Sequence, residues 1–115
     1  MTLHITTQHQ DERIAVLTVS GRLSAVNVRE LRSAVASAVE RGWVQIVLEL
    51  SGVDFIDSSG LGGVITGLKT TRQAGGDLRL VAPAAQVTMI LRLTNLDQIL
   101  SVYPTVEAAV AEYVG

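Results

Sequence analysis

Apolar and polar residues change their period several times along this chain, and each change marks an element. Ile14 to Val19 is dense in β-branched and aliphatic residues and predicts a strand, while Leu3 to Gln8 predicts a weaker edge strand. The polar break Gln10-Asp11-Glu12 between them makes the pair a hairpin. From Asn27 to Arg41, Val28, Leu31, Val35, Ala38 and Val39 recur at helical spacing, and Gly42 stops that helix. Alternation then returns over Val44 to Leu50. Val44, Ile46, Leu48 and Leu50 share one face, and Gln45, Val47 and Glu49 share the other.

A second helix opens near Ser58, carries Leu61, Val64, Ile65 and Leu68 on one stripe, and ends at Gly75-Gly76. Asp77 to Val81 is the next strand, with Leu78 and Leu80 on a common face. Pro83 introduces a third helix, Ala84 to Leu93, which buries Val87, Ile90 and Leu91. Ile99 to Val102 is a short strand, and Pro104-Thr105 opens a last helix with Thr105 as N-cap and Val106, Ala109, Val110 and Tyr113 as its apolar stripe. The order β-β-α-β-α-β-α-β-α predicts one α/β domain over residues 1–115, with a mostly parallel sheet, right-handed crossovers and an N-terminal hairpin strand. Gln45, Glu49 and Arg79 would sit badly under a second helical layer, so the helices are expected mainly on one face.

Composition supports a packed core of an unusual kind. The chain is 48% hydrophobic but only 3% aromatic, so Val, Leu, Ile and Ala must fill the interior. Nine basic and eleven acidic residues are scattered without a run that could neutralise a phosphate backbone or an anionic membrane, which argues against direct nucleic-acid binding and against a membrane. Met1 to Gln10 lacks a basic segment followed by an apolar stretch, and no apolar run approaches the ~20 residues that span a bilayer. The expectation is a cytoplasmic protein. The absence of cysteine excludes disulfides, Cys-based zinc sites and thiol nucleophiles. The apolar content is accounted for by a core, with no heptad or self-complementary stripe left over, so a monomer is expected.

The stretch that carries chemistry is Asp54-Phe55-Ile56-Asp57-Ser58-Ser59-Gly60-Leu61-Gly62, where a strand end meets a helix start. Asp and Ser there have an ordinary use as caps for unpaired N–H groups. The glycines are less ordinary, because Gly60, Gly62, Gly63 and Gly67 all fall in a helix, where each costs about 1 kcal/mol against Ala. Such a helix implies close approach to its backbone, by the sheet beneath or by a partner above. Phosphate-loop patterns do not fit. Gly62 and Gly67 have the Walker separation, but Leu68 follows and Lys69 comes one residue late; for a dinucleotide fingerprint Ile65 occupies the third glycine position. A serine nucleophile would need a base, and His4 and His9, the two histidines, lie on a strand with their side chains on opposite faces. Trp43 reads as a residue at the lip of the core rather than as an anchor for a partner. Nothing here equips an enzyme.

The segments Val47-Leu48-Glu49-Leu50-Ser51-Gly52-Val53 and Phe55-Ile56-Asp57-Ser58-Ser59-Gly60-Leu61-Gly62 resemble the STAS domain of bacterial anti-sigma factor antagonists. Gly21-Arg22-Leu23, Gly75-Gly76-Asp77-Leu78-Arg79-Leu80-Val81 and Leu93-Thr94-Asn95-Leu96-Asp97 fall in the family's order, so the resemblance covers nearly the whole chain. It implies partner switching. In that family the unmodified antagonist binds an anti-sigma factor that is also a serine kinase and so frees a sigma factor; phosphorylation by the kinase breaks the complex, and a serine phosphatase resets it. The acceptor is the hydroxyl residue before Gly-Leu-Gly, here Ser59. Ser24, Asn27, Asp57, Ser58, Ser59, Gly60, Leu61 and Gly62 would then form the partner surface.

The resemblance implies no cofactor, since ATP would be bound by the kinase. Two positions depart from the family pattern: Ser24 stands where Asp is common, in a loop expected to touch the kinase, and Gly63 stands where a larger apolar residue is usual, which should loosen the phosphoacceptor helix. The alternative within the same fold is a STAS subunit of a lipid-transport complex or signalling scaffold without a phosphorylation switch.

Overall fold

The computed structural model describes residues Leu3 to Val114. Residues 1, 2 and 115 of the expected 1–115 domain lie outside the described residues. Five strands, β1 (His4–His9), β2 (Ile14–Leu23), β3 (Gln45–Ile56), β4 (Asp77–Val81) and β5 (Ser101–Tyr103), form one sheet in sequential order. β1 is antiparallel to β2, as a hairpin must be, and the other three pairings are parallel. Four helices complete the order: α1 (Val28–Glu40), α2 (Ser58–Gln73), α3 (Ala85–Leu93) and α4 (Val106–Val114).

The sequential order explains where the helices lie. Right-handed crossovers that always step to the next strand in the same direction must return on the same face of the sheet. Accordingly α1, α2 and α3 supply Leu31, Val35, Val64, Leu68, Val87 and Leu91 to one core with Leu17, Ile46, Leu48 and Leu80. Each such side chain, nearly free of solvent, contributes about 1.5–3 kcal/mol relative to exposure. α4 follows the last strand and has no crossover to make, so it covers the opposite face, where Ala109 packs with Val16, Val47 and Val81.

That second layer shows what the polar strand residues do. Arg79, expected to fit badly under a helix, is accommodated beneath α4: its guanidinium lies 3.9 Å from the centre of the Tyr113 ring and donates to the Ala109 carbonyl at 3.4 Å. Its Nε lies 3.7 Å from Asp77 Oδ2. The Tyr113 hydroxyl donates to the Ile46 carbonyl at 2.9 Å, and burial pushes its pKa above the usual tyrosine value. Thr105 caps α4 as its sequence position suggests, its Oγ1 accepting from Ala108 N at 3.1 Å.

Two strands run further than the alternation predicts. β3 continues past Leu50 to Ile56, and β2 past Val19 to Leu23. Ser51-Gly52 resembles a turn, but Gly52 serves close strand contact: a Cβ there would lie 2.7 Å from Ser20 Cβ. Irregular register near Ser20 and Gly21, with Gly21 at φ +112°, carries the pair on until Leu23 stands opposite Ile56. The last strand is shifted from Ile99–Val102 to Ser101–Tyr103 because Leu96–Gln98 forms a 3₁₀ turn.

Candidate functional site

Leu23 and Ile56 end adjacent parallel strands, so the segments that follow them emerge side by side at the carboxyl edge of the sheet, where open α/β sheets place their sites. One is the Ser24–Asn27 loop and the other is the start of α2. Asp57 is the N-cap of α2, with extended backbone (φ −107°, ψ −176°) and its Oδ1 accepting from Gly60 N at 2.8 Å. Its Oδ2 accepts from Ala25 N at 3.3 Å, across to the neighbouring loop. The bond from Gly60 N, with further help from the Ala25 amide, holds the Asp57 carboxyl below the usual carboxylate range.

The loop is built from its own polar groups. Asn27 is only 4% exposed, and both ends of its amide are used: Oδ1 accepts from Ser24 N at 3.0 Å and Nδ2 donates to the Arg22 carbonyl at 2.6 Å. Asn27 therefore shapes the loop from inside and presents no side chain to a partner. Ser24 and Ser59 are half-buried, Ser58 is exposed, and Gly60 and Leu61 are buried. The expected residues thus come together, but as an outer set (Ser24, Ser58, Ser59, Gly62) resting on an inner one.

The glycines of α2 divide in the same way. A Cβ on Gly60 would overlap the Leu23 carbonyl oxygen and lie 2.9 Å from its carbonyl carbon; one on Gly63 would overlap Val28 Cγ2. These two answer to the sheet and to α1. Gly63, which departs from the family pattern, lies against α1, and a Cβ there would require the Val28 side chain to shift. Around the Cβ position of Gly62, by contrast, there is nothing within 4 Å. No internal contact explains that glycine, and it leaves a notch on the outer surface of α2.

Two participants carried no signal in the sequence. Val26, at the loop tip, is 79% exposed, the highest value among the exposed large hydrophobic residues. In sequence it is one apolar residue ahead of an amphipathic helix. Gln86 of α3 receives Ile56 N–H on its Oε1 at 3.0 Å and donates its Nε2 to the Ile56 carbonyl at 3.2 Å. It thereby substitutes for the strand partner that β3 lacks beyond the end of β4 and steadies the residue preceding Asp57. A glutamine on a helix is too ordinary to be singled out.

The other sequence candidates lie elsewhere. His4 and His9 are exposed on β1, and His9 stacks on Trp43 with ring centres 3.5 Å apart and planes at 5°. Trp43 packs at the margin of the core and donates its indole N–H to the Asp11 carbonyl at 3.1 Å, as its reading as a lip residue implies. Among the described residues no group of three His, Cys, Asp or Glu side chains is placed to hold a metal ion. No helix among them is long and apolar enough to cross a membrane. What the site offers is two hydroxyls at the positive end of a sixteen-residue helix, an exposed apolar tip and a notch.

Comparison with known proteins agrees with this geometry. A candidate anti-sigma factor antagonist of Thermotoga neapolitana is 39% identical over 77 residues, 67% of this chain and 68% of its own. The anti-sigma F factor antagonist of Paenibacillus polymyxa is 28% identical over 113 residues, covering 97% and 96%. The crystal structure of a candidate anti-sigma factor antagonist from Thermotoga maritima superposes with a TM-score of 0.87 at 32% identity, over 94% of this chain and 92% of that one. The STAS domain model matches residues 5–109, from the second residue of β1 into the first turn of α4, and the chain therefore belongs to the STAS domain family.

Proposed function

We propose that this protein is an anti-sigma factor antagonist. Unphosphorylated, it binds an anti-sigma factor that is also a serine kinase and so releases a sigma factor; phosphorylation of Ser59 blocks that binding, and a serine phosphatase restores it. The protein itself catalyses nothing. The observation that carries this reading is the placement of Ser59: half-buried, second in α2, and flanked by the Ser58 hydroxyl and the Asp57 cap. The names of the relatives in Thermotoga and Paenibacillus support the same reading.

In the modifying step the γ-phosphoryl group of a nucleoside triphosphate held by the kinase passes to Ser59 Oγ. The bond to the diphosphate breaks, and the hydroxyl proton leaves to a base of the kinase. The product carries about −1.5 to −2 charges at a helix start whose free N–H groups and dipole favour an anion. α2 therefore stays folded. A partner face that had packed on Ser24, Ser58 and Gly62, shaped from beneath by Asn27, Gly60 and Leu61, now meets a dianion beside Asp57. Binding is lost through local charge and bulk.

The test is capture of the kinase from native lysate with wild type, Ser59→Ala and Ser59→Asp, each checked for folding. The expected result is that Ala retains an identified kinase-like partner and Asp loses it. Equal capture of one non-kinase assembly by all three would overturn the proposal.

A further inference from the structure

Among the loop amides from Ser24 to Val28, one stands apart. Ser24 N bonds to Asn27 Oδ1, Val26 N to Ser24 Oγ at 3.4 Å, and Asn27 N and Val28 N both to the Ser24 carbonyl at 3.1 and 2.8 Å. All four partners lie inside the loop. Ala25 N alone reaches out of it, to Asp57 Oδ2, while the other oxygen of the same carboxylate caps Gly60 N. A single carboxylate therefore ties the tip that carries Val26 to the first turn of α2.

We propose that Asp57 is a positioning residue, a two-ended clip that holds the Ala25–Val26 tip against α2, and that phosphate on Ser59 acts partly by opening the clip at its Ala25 end. The proposal rests on the phosphorylation of Ser59 inferred above. Phosphoserine at 59 would lie two residues from Asp57 at the same helix start, and both groups accept hydrogen bonds from the same few N–H donors. Two anions competing there repel each other. The Gly60 end of the carboxylate is held by the shorter bond, 2.8 Å against 3.3 Å, so the Ala25 end yields first. The tip that carries Val26 then loses its tie to the first turn of α2, and the modification reaches a part of the partner surface that the phosphate does not itself cover.

The clip can be tested on the isolated protein, without kinase or partner. Phosphoserine is installed at position 59 during synthesis, and amide hydrogen exchange at Ala25 and Gly60 is followed by NMR in four proteins: wild type, Asp57→Asn, phosphoserine-59, and the two changes combined. Asparagine has one acceptor oxygen, so it can cap Gly60 as N-cap asparagines do but leaves Ala25 N without its acceptor. Phosphoserine and Asp57→Asn should each speed Ala25 exchange about three- to tenfold, the effect of losing one ordinary hydrogen bond. Gly60 should stay protected, and the combined protein should be no faster at Ala25 than either alone.

Unchanged Ala25 exchange in the phosphoserine protein, or effects that multiply in the combined one, would overturn the clip. If Asp57→Asn does not fold, Asp57→Ser, whose short hydroxyl caps Gly60 without reaching Ala25, takes its place. The two readings fail separately. A partner still lost by Ser59→Asp while Ala25 is unmoved refutes the clip and leaves the switch; an Ala25 bond that opens while every bait holds the same partner supports the clip and refutes the switch.

Discussion

Gly60 and Gly62 stand two residues apart in the opening turns of α2, and the same substitution at each should move stability in opposite directions. At Gly60 a Cβ meets main chain: it overlaps the Leu23 carbonyl oxygen and lies 2.9 Å from its carbon and 3.0 Å from Ile56 Cγ1. Leu23 cannot give way cheaply, because it is fully buried and its carbonyl also accepts Asp57 N at 3.2 Å. Gly60→Ala should therefore carry an overpacking cost of about 1–3 kcal/mol, which the helix gain of about 1 kcal/mol from replacing glycine offsets in part, for a net loss of up to about 2 kcal/mol. At Gly62 the Cβ enters open space, and the helix gains what glycine withholds, about 0.8–1 kcal/mol. At roughly 4 °C per kcal/mol for a domain of this size, Tm should rise by about 3–4 °C for Gly62→Ala and fall by up to about 8 °C for Gly60→Ala. Thermal unfolding followed by circular dichroism, with urea titrations to check that m is unchanged, measures both. A lower Tm for Gly62→Ala, or a higher one for Gly60→Ala, would refute the assignment of one glycine to the interior and the other to the surface. If the notch at Gly62 admits a side chain of the proposed partner, the stabilised variant should also bind that partner less well than wild type.

Removal of the Gln86 amide by Gln86→Ala leaves the Ile56 N–H and C=O without their partners and should cost about 1–2 kcal/mol in urea unfolding; a variant as stable as wild type would show that solvent replaces it freely. Asp57 has its carboxyl pKa lowered chiefly by the Gly60 amide, so the stability it adds is present above its unfolded value and is lost as pH falls through the lower folded one. The stability difference between wild type and Asp57→Asn should accordingly be constant near neutrality and change only below about pH 4; a change centred near pH 6 would assign it to another group. For Tyr113 the shift is upward, from burial first and the Asp77 charge second, so folding stability should decline as pH climbs past about 10, where the unfolded phenol ionises and the folded one does not. Ultraviolet titration should show a late tyrosinate component that disappears in Tyr113→Phe, and Tyr113→Phe should also cost about 1 kcal/mol through the lost bond to Ile46.

The elements themselves were legible in the order of residues, because amphipathic period depends only on neighbours. The stripe Val28, Leu31, Val35 and Ala38 is buried along α1, and alternation over β3 sends Ile46 and Leu48 to one core and Val47 to the other. The Asp57 cap and the Thr105 cap were legible for the same reason, since each bonds an amide three residues away. Strand ends were not. Ser51-Gly52 carries the residue types of a turn, and only the nearness of Ser20 shows why a glycine continues the strand there.

What the sequence determined by itself was local: a strand and helix order, an aliphatic interior, and a serine-bearing helix start rich in glycine. It could not separate Gly60 and Gly63 from Gly62, because the three differ only in what lies opposite them. Nor could it find Gln86 or Val26, or the second bond of Asp57 to Ala25, 32 residues away in the chain. Those belong to the tertiary structure, which sets Leu23 beside Ile56 and so brings two distant loops to one edge of the sheet. Capping and periodicity are relations within a few residues, whereas exposure, close approach and hydrogen bonds between loops exist only once the strands have paired.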